Sequence, residues 1–166
     1  PQPHSSARRQ RQMCIRDSPL TVDENKISNI LAELSLTDKA NVVTGHGMWT
    51  TRIIGDAGIP ALTVTDGPNG ARGAGLMGTG TPTACIPAGS VLGSTWNPTL
   101  MEELGVLLAE ESIAKGAHVL LAPTINLHRN PLGGRNFECY SEDPYLTGTL
   151  ASGYINGVQS QHVAVT

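Results

Sequence analysis

The chain is short of cysteines, aromatic residues and long apolar runs. Aromatic residues make up 4% of the 166 positions, and the three cysteines, Cys14, Cys85 and Cys139, are widely spaced and odd in number. Because no C-x-x-C pair occurs, we expect neither a zinc cluster nor a disulfide framework. No run of 18 apolar residues occurs, so we expect no transmembrane helix and no membrane partner.

An excess of positive charge is also missing. The formal net charge is −3 and the pI is near 5.9, which gives no reason to expect nucleic acid or an anionic membrane as a partner. The one basic cluster, within residues 8–16, reads as a solvated tail. No apolar signal segment follows it, and Pro98 blocks the sequon at Asn97. These absences favour the cytoplasm without fixing the compartment.

The chain divides by composition near residue 20. Residues 1–19 are rich in Gln, Arg, Ser and Pro and show no hydrophobic period. We interpret them as a disordered or non-native leader and residues 20–166 as one folded region. Thr21 with Glu24 forms a T-x-x-E pattern that predicts a helix start, and Thr37 is expected to cap a second short helix.

After residue 58, strand-like and helix-like segments alternate. Apolar, β-branched runs are typical of buried parallel strands, and Asn-Pro and Asp-Pro pairs are typical of helix starts. The order strand, loop, helix occurs twice and predicts an α/β protein with two βα units. The predicted elements are strand 61–65, a helix starting at Asn97, strand 117–123, a helix starting at Asp143, and a third strand beginning near residue 162.

Two polar loops follow the first two predicted strands. One contains Asp66 and Arg72, and the other contains Arg135 within residues 133–144. In a parallel α/β fold, the loops at the carboxyl ends of the strands form the active site. A carboxylate there accepts hydrogen bonds from hydroxyl groups, and a guanidinium donates them. Asp66, Arg72 and Arg135 are therefore the candidate substrate-binding residues.

Each candidate has a structural alternative that the sequence leaves open. Asp66 lies in good turn chemistry and could form an Asx-turn. Arg72 and Arg135 could instead form ion pairs with Asp66 or Glu138. Asp143 is better explained as a helix N-cap than as an acid or a metal ligand. We expect no metal site, because the carboxylates show no clear ligand spacing.

Three further features carry weak functional signals. Residues 73–78 match G-x-G-x-x-G, but they open no helix and lack the acidic residue that a dinucleotide site needs about 20 positions on. No cofactor is therefore expected. His128 lies in the second polar loop and could face the pocket, although a lone histidine is more often structural. Trp49 could stack on a sugar, or could equally be a partly buried core aromatic.

Several segments, in order, resemble the N-terminal domain of glycoside hydrolase family 3, of the β-glucosidase type. The resemblance runs from about Ser35 to the end of the chain and is carried by these segments: residues 34–39, 58–60, 65–72, 116–123, 131–138 and 141–144. It implies a (β/α)8 barrel, of which about two βα units are present here, and release of β-linked glucose from the non-reducing end of small glycosides with retention of configuration.

The resemblance also implies roles for individual residues. Asp66 would bind hydroxyls of the first sugar, with Arg72 and Arg135 flanking the same ring. The family's Lys-His pair, nucleophile Asp and acid/base Glu are expected beyond Thr166, so no catalytic residue is assigned in this chain and we expect it to be inactive alone. The alternative is a non-catalytic sugar-binding or scaffolding module of the same fold. Neither interpretation fixes the aglycone or the oligomeric state.

Overall fold

The computed structural model describes residues 23–73 and 82–166. These residues form two compact units, the first ending at Val64 and the second comprising Thr65–Thr166. The leader prediction, the start predicted at Thr21 and most of the glycine motif lie outside the described residues.

The first unit opens with two short helices, α1 (Glu24–Glu33) and α2 (Leu36–Val42). The cap of α1 is Asp23, whose carboxylate accepts a hydrogen bond from the Lys26 amide at 3.1 Å. Helix α2 begins after Ser35, which forms a capping box with Asp38. The predicted cap at Thr37 is therefore wrong. Ser35 is the better cap because two reciprocal hydrogen bonds form there. The Ser35 hydroxyl accepts a hydrogen bond from the Asp38 amide, and the Asp38 carboxylate accepts one from the Ser35 amide.

The remainder of the first unit is held by short backbone bridges. Antiparallel bridges join Gly45 to Thr51, Thr50 to Thr63 and Ile54 to Ile59, with a 3-10 turn at Gly55–Ala57. These bridges pair backbone N–H and C=O groups that a loop would otherwise leave without hydrogen bonds.

The sheet contains three strands in the order β1 (Val64–Asp66), β2 (Val119–Leu121) and β3 (Ala164–Val165). Strands β2 and β3 are parallel, with Val119 opposite Ala164 and Leu120 opposite Val165. All three predicted strands exist, but β1 begins three residues later than predicted and β2 is shorter. Asp66 is consequently the last residue of its strand.

Helices fill the connections between the strands. The first connection contains α3 (Gly89–Gly93) and α4 (Pro98–Ala114), and the second contains α5 (Pro144–Ser160). Both predicted N-caps are confirmed: the Asn97 side chain accepts the Leu100 amide at 3.1 Å, and the Asp143 carboxylate accepts the Tyr145 amide at 2.8 Å. The two predicted βα units are therefore present.

The core of the second unit lies where α4 and α5 pack together and over the sheet. Its members are almost completely buried apolar side chains from both helices and from β2, including Met101, Leu108, Leu120, Leu150, Tyr154 and Val158. Burying side chains of this size is the main favourable term for such a fold. Within the described residues, no helix has the length and hydropathy needed to cross a bilayer.

Candidate functional site

Asp66 opens a tight loop that turns back on its own strand. The Arg72 amide donates to the Asp66 carbonyl at 2.9 Å, and the Gly73 amide donates to the buried hydroxyl of Thr65 at 2.8 Å. Gly67 has φ of +138°, and a Cβ there would collide with the carbonyl oxygen of Gly70. Only glycine fits this turn, so the sequence Asp-Gly-Pro-Asn-Gly fixes the loop shape.

Asp66 and Arg72 form a partly exposed ion pair. Arg72 Nη1 lies 3.8 Å from Asp66 Oδ2, and the side chains are 55% and 45% exposed respectively. A pair with this distance and exposure is weak in water. Both groups therefore keep hydrogen-bonding capacity for a polar ligand.

Arg135 forms a stronger, bidentate pair with Glu138. Its Nε and Nη2 donate to the two carboxylate oxygens at 2.9 and 2.6 Å. Arg135 is 79% exposed on its side chain, whereas Glu138 is only 16% exposed. The carboxylate thus supports a guanidinium that points towards solvent, and the remaining N–H groups of Arg135 stay available.

The charges of these groups are linked. Hydrogen bonding to Glu138, then its charge, raise the pKa of Arg135, and the negative charge of Asp66 adds a smaller contribution in the same direction. Conversely, the hydrogen bonds from Arg135 lower the pKa of Glu138. Because Arg135 lowers its pKa, Glu138 favours the ionised form and is not poised to act as an acid.

A 3-10 turn at Asn136–Glu138 presents Arg135. The Asn136 amide nitrogen Nδ2 donates to the Asn130 carbonyl at 2.7 Å and closes the loop. Helix α3 contacts the same turn through Gly89, where a Cβ would collide with the Glu138 carbonyl. The position of Arg135 therefore depends on a glycine that lets α3 come close.

His128 and Asp143, which the sequence also raised, have structural roles. His128 Nε2 lies 2.9 Å from the Cys139 carbonyl, and its backbone amide donates to the Ser141 carbonyl at 3.2 Å. Asp143 is an N-cap, as expected. Trp49 belongs to the first unit, and its indole N–H is buried without a partner among the described residues. Within the described ranges, no three His, Cys, Asp or Glu residues cluster as a metal site would require.

The structure also adds residues that the sequence analysis missed. Glu111 accepts from the Ala84 amide at 2.8 Å and from the Thr83 hydroxyl. The Tyr154 hydroxyl donates to the Pro68 carbonyl at 3.3 Å. Both side chains belong to helices, but their partners lie 27, 28 and 86 residues away in sequence. No local pattern identifies such pairs.

Comparison with known proteins gives consistent results. The family model described as glycosyl hydrolase family 3 N terminal domain matches residues 14–166, beginning earlier than the motifs near Ser35. A beta-glucosidase of Rhizobium radiobacter is 53% identical over 140 residues, which cover 84% of this chain and 17% of that protein. Beta-glucosidase B of Emericella nidulans is 48% identical over 145 residues, covering 87% of this chain and 17% of that protein.

Solved structures agree with these matches. The beta-glucosidase from Kluyveromyces marxianus in complex with glucose superposes with a TM-score of 0.80 at 45% identity, over 84% of this chain and 17% of that one. Beta-glucosidase 3B from Thermotoga neapolitana in complex with alpha-D-glucose gives 0.77 at 40% identity, over 84% and 22%. The chain thus spans 17% of the length of the curated relatives described above. By its family match, its sequence identity and its structural likeness, this chain belongs to glycosyl hydrolase family 3, within the N-terminal domain.

Proposed function

We propose that this chain supplies part of the glucose-binding subsite of a retaining β-glucosidase, which hydrolyses terminal non-reducing β-D-glucosyl residues. The three-stranded sheet would then be the start of a (β/α)8 barrel, with Asp66 at the carboxyl end of its first strand. The observation that carries the proposal is the position of Asp66 as the last residue of β1, half exposed and paired with Arg72. Two β-glucosidases of similar structure, each solved with glucose, support the choice of sugar.

The site chemistry suits a sugar ring. The half-exposed Asp66 carboxylate can accept hydrogen bonds from two neighbouring hydroxyls. Arg72 and Arg135 can donate to hydroxyl oxygens from either side, because each retains N–H groups beyond those used in its ion pair. Hydroxyl contacts of this kind strengthen as the ring flattens towards an oxocarbenium-like transition state.

We further propose that this chain does not hydrolyse glycosides alone. A retaining glycosidase needs two carboxyl groups about 5–5.5 Å apart, one of which must carry a proton in the first step. Glu138 is unsuited to that role, because Arg135 lowers the pKa of its carboxyl group. Asp66 is paired with Arg72. The nucleophile and acid/base would come from elsewhere in the enzyme.

Titration of the ¹⁵N-labelled chain with methyl β-D-glucoside, followed by NMR, tests the binding proposal. We expect amide shifts in residues 66–73 and 133–138, with loss of binding in Asp66→Asn. Asp56→Asn makes the same change at an exposed aspartate of the first unit and should bind as the parent does. Equal affinity in Asp66→Asn and the parent would contradict the assignment. Measurable turnover of an aryl β-glucoside by the purified chain would contradict the proposed inactivity.

A non-catalytic sugar-binding or scaffolding module is the second candidate. It is not favoured, because both curated relatives compared above are named beta-glucosidases. The two candidates share the same sugar subsite, so the titration tests what they have in common.

A further inference from the structure

The carboxylate of Glu111, on helix α4, binds a segment that lies far from it in sequence. It accepts hydrogen bonds from the Thr83 hydroxyl and, at 2.8 Å, from the Ala84 amide. Burial alone would raise the pKa of Glu111, but these hydrogen bonds and the charge of Lys115 outweigh burial and lower the pKa. The carboxylate therefore favours its ionised form, and it lies outside the candidate sugar subsite.

The segment bound by Glu111 lies directly on the loop of Asp66. The Ile86 amide donates to the Asn69 carbonyl at 2.9 Å, and Asn69 Nδ2 donates to the Pro87 carbonyl at 2.6 Å. A Cβ at Gly70 would lie 2.6 Å from the Ala84 carbonyl oxygen. Residues 83–87 and the Asp66 loop are thus in backbone contact. Glu111 binds the first two residues of this segment through its carboxylate.

Lys115 completes the arrangement from the end of the same helix. Its Nζ lies 3.5 Å from Glu111 Oε2, and its side chain is only 5% exposed. The aliphatic stem packs on Gly73, where an added Cβ would lie 3.2 Å from Lys115 Cδ. Glu111 therefore binds residues 83 and 84, and Lys115 contacts Gly73 at the end of the Asp66 loop.

We propose that Glu111 is a positioning residue for the sugar subsite: by holding Thr83 and Ala84, it presses residues 83–87 against the Asp66 loop and fixes Asp66 and Arg72 in place. This inference rests on the proposed function, since the position of these two side chains matters to a sugar only if they bind it. Glu111 acts without touching the ligand.

Amide hydrogen exchange of the 166-residue chain tests the positioning directly, without sugar. The informative amides are those of Ile86 and Arg72, because neither is bonded to Glu111 itself. In Glu111→Ala we expect their exchange to accelerate about tenfold as the loop opens locally. In Glu111→Gln, whose amide oxygen still accepts from Ala84, we expect most of the protection to return.

Three further variants make the test selective. Glu110→Ala removes an exposed carboxylate from the same helix and should leave both amides unchanged. Lys115→Met should also leave the Ile86 and Arg72 amides protected, because Glu111 still accepts hydrogen bonds from Thr83 and Ala84. Thr83 is exposed, and valine has nearly the same shape as threonine. The Thr83→Val variant should therefore fold even if Glu111→Ala does not. It removes one donor, and we expect a smaller acceleration of the same two amides.

Affinity for methyl β-D-glucoside supplies the second measurement. We expect Glu111→Ala to lose about tenfold in affinity, a change that corresponds to about 1.4 kcal/mol, and Glu111→Gln to lose much less. If the parent chain binds no glucoside, the proposed function fails, while the exchange of the Ile86 and Arg72 amides still decides whether Glu111 holds the Asp66 loop in place. Unchanged exchange at both amides in Glu111→Ala, or in Thr83→Val should the alanine variant not fold, would overturn this positioning role.

Discussion

Alanine at Gly157 should destabilise the helix pair that supports the sheet, whereas alanine at Gly148 should stabilise it. Both glycines lie within α5. A Cβ at Gly157 would collide with the Glu102 carbonyl oxygen on α4, while a Cβ at Gly148 would meet nothing within 4 Å. The two substitutions are chemically identical and differ only in what faces the added methyl group.

The expected magnitudes follow from two opposing effects. Replacing glycine by alanine inside a helix gains about 0.5–1 kcal/mol, because alanine loses less backbone entropy on folding. Forcing an extra carbon into a close-packed contact costs about 1–3 kcal/mol. Gly148→Ala has only the favourable entropy effect, because its added methyl group meets no other atom within 4 Å. Gly157→Ala combines both effects, so its free energy of unfolding should lie about 1–3 kcal/mol below that of Gly148→Ala.

Urea unfolding followed by far-UV circular dichroism measures this difference. With a denaturant slope of about 2 kcal/mol per molar urea, a gap of about 2 kcal/mol separates the midpoints by about 1 M. The parent midpoint should lie between them or close to that of Gly157→Ala. Equal midpoints for the two variants, or a higher midpoint for Gly157→Ala, would refute the close contact of α4 with α5.

Two further predictions concern single interactions. Because Arg135 lowers the pKa of Glu138, the pair should stabilise the fold above the unfolded-state pKa of a glutamate and lose this contribution as the pH falls through the lower folded pKa. Carbon-detected NMR titration should show the pKa of Glu138 rising in Arg135→Ala, and an unchanged value would contradict the pairing. Tyr154→Phe removes the hydroxyl that binds the Pro68 carbonyl and should cost about 0.5–1.5 kcal/mol in urea unfolding. Tyr145→Phe, 82% exposed on the same helix, should cost almost nothing, and similar costs for both would argue against the bond.

Much of the fold could be predicted from local sequence, because its signals are local. Asn97 and Asp143, each followed by proline, identified two helix starts correctly. The prediction failed at Thr37 because Ser35, two residues earlier, forms a capping box with Asp38. The strand boundaries were less accurate, since strand pairing depends on partners distant in the chain rather than on apolar runs alone.

The candidate site residues were selected from local sequence for the same reason, and their role in binding stays a prediction. Asp66, Arg72 and Arg135 stand out because they follow apolar strands in glycine-rich loops. The ion pairs that the sequence left as alternatives are both present, Arg72 with Asp66 and Arg135 with Glu138, and neither consumes the hydrogen-bonding capacity that a sugar needs. The contacts of Glu111 could not be predicted, since its partners are distant in sequence and one is a backbone amide.

The most direct measurement follows the Nε–H resonances of Arg72 and Arg135 while glucose is added to the labelled chain. The account predicts that both resonances shift along one binding curve with a single dissociation constant, and that neither shifts in Asp66→Asn. Movement of only one arginine, two different dissociation constants, or shifts that persist without the Asp66 carboxylate would contradict a common sugar ring.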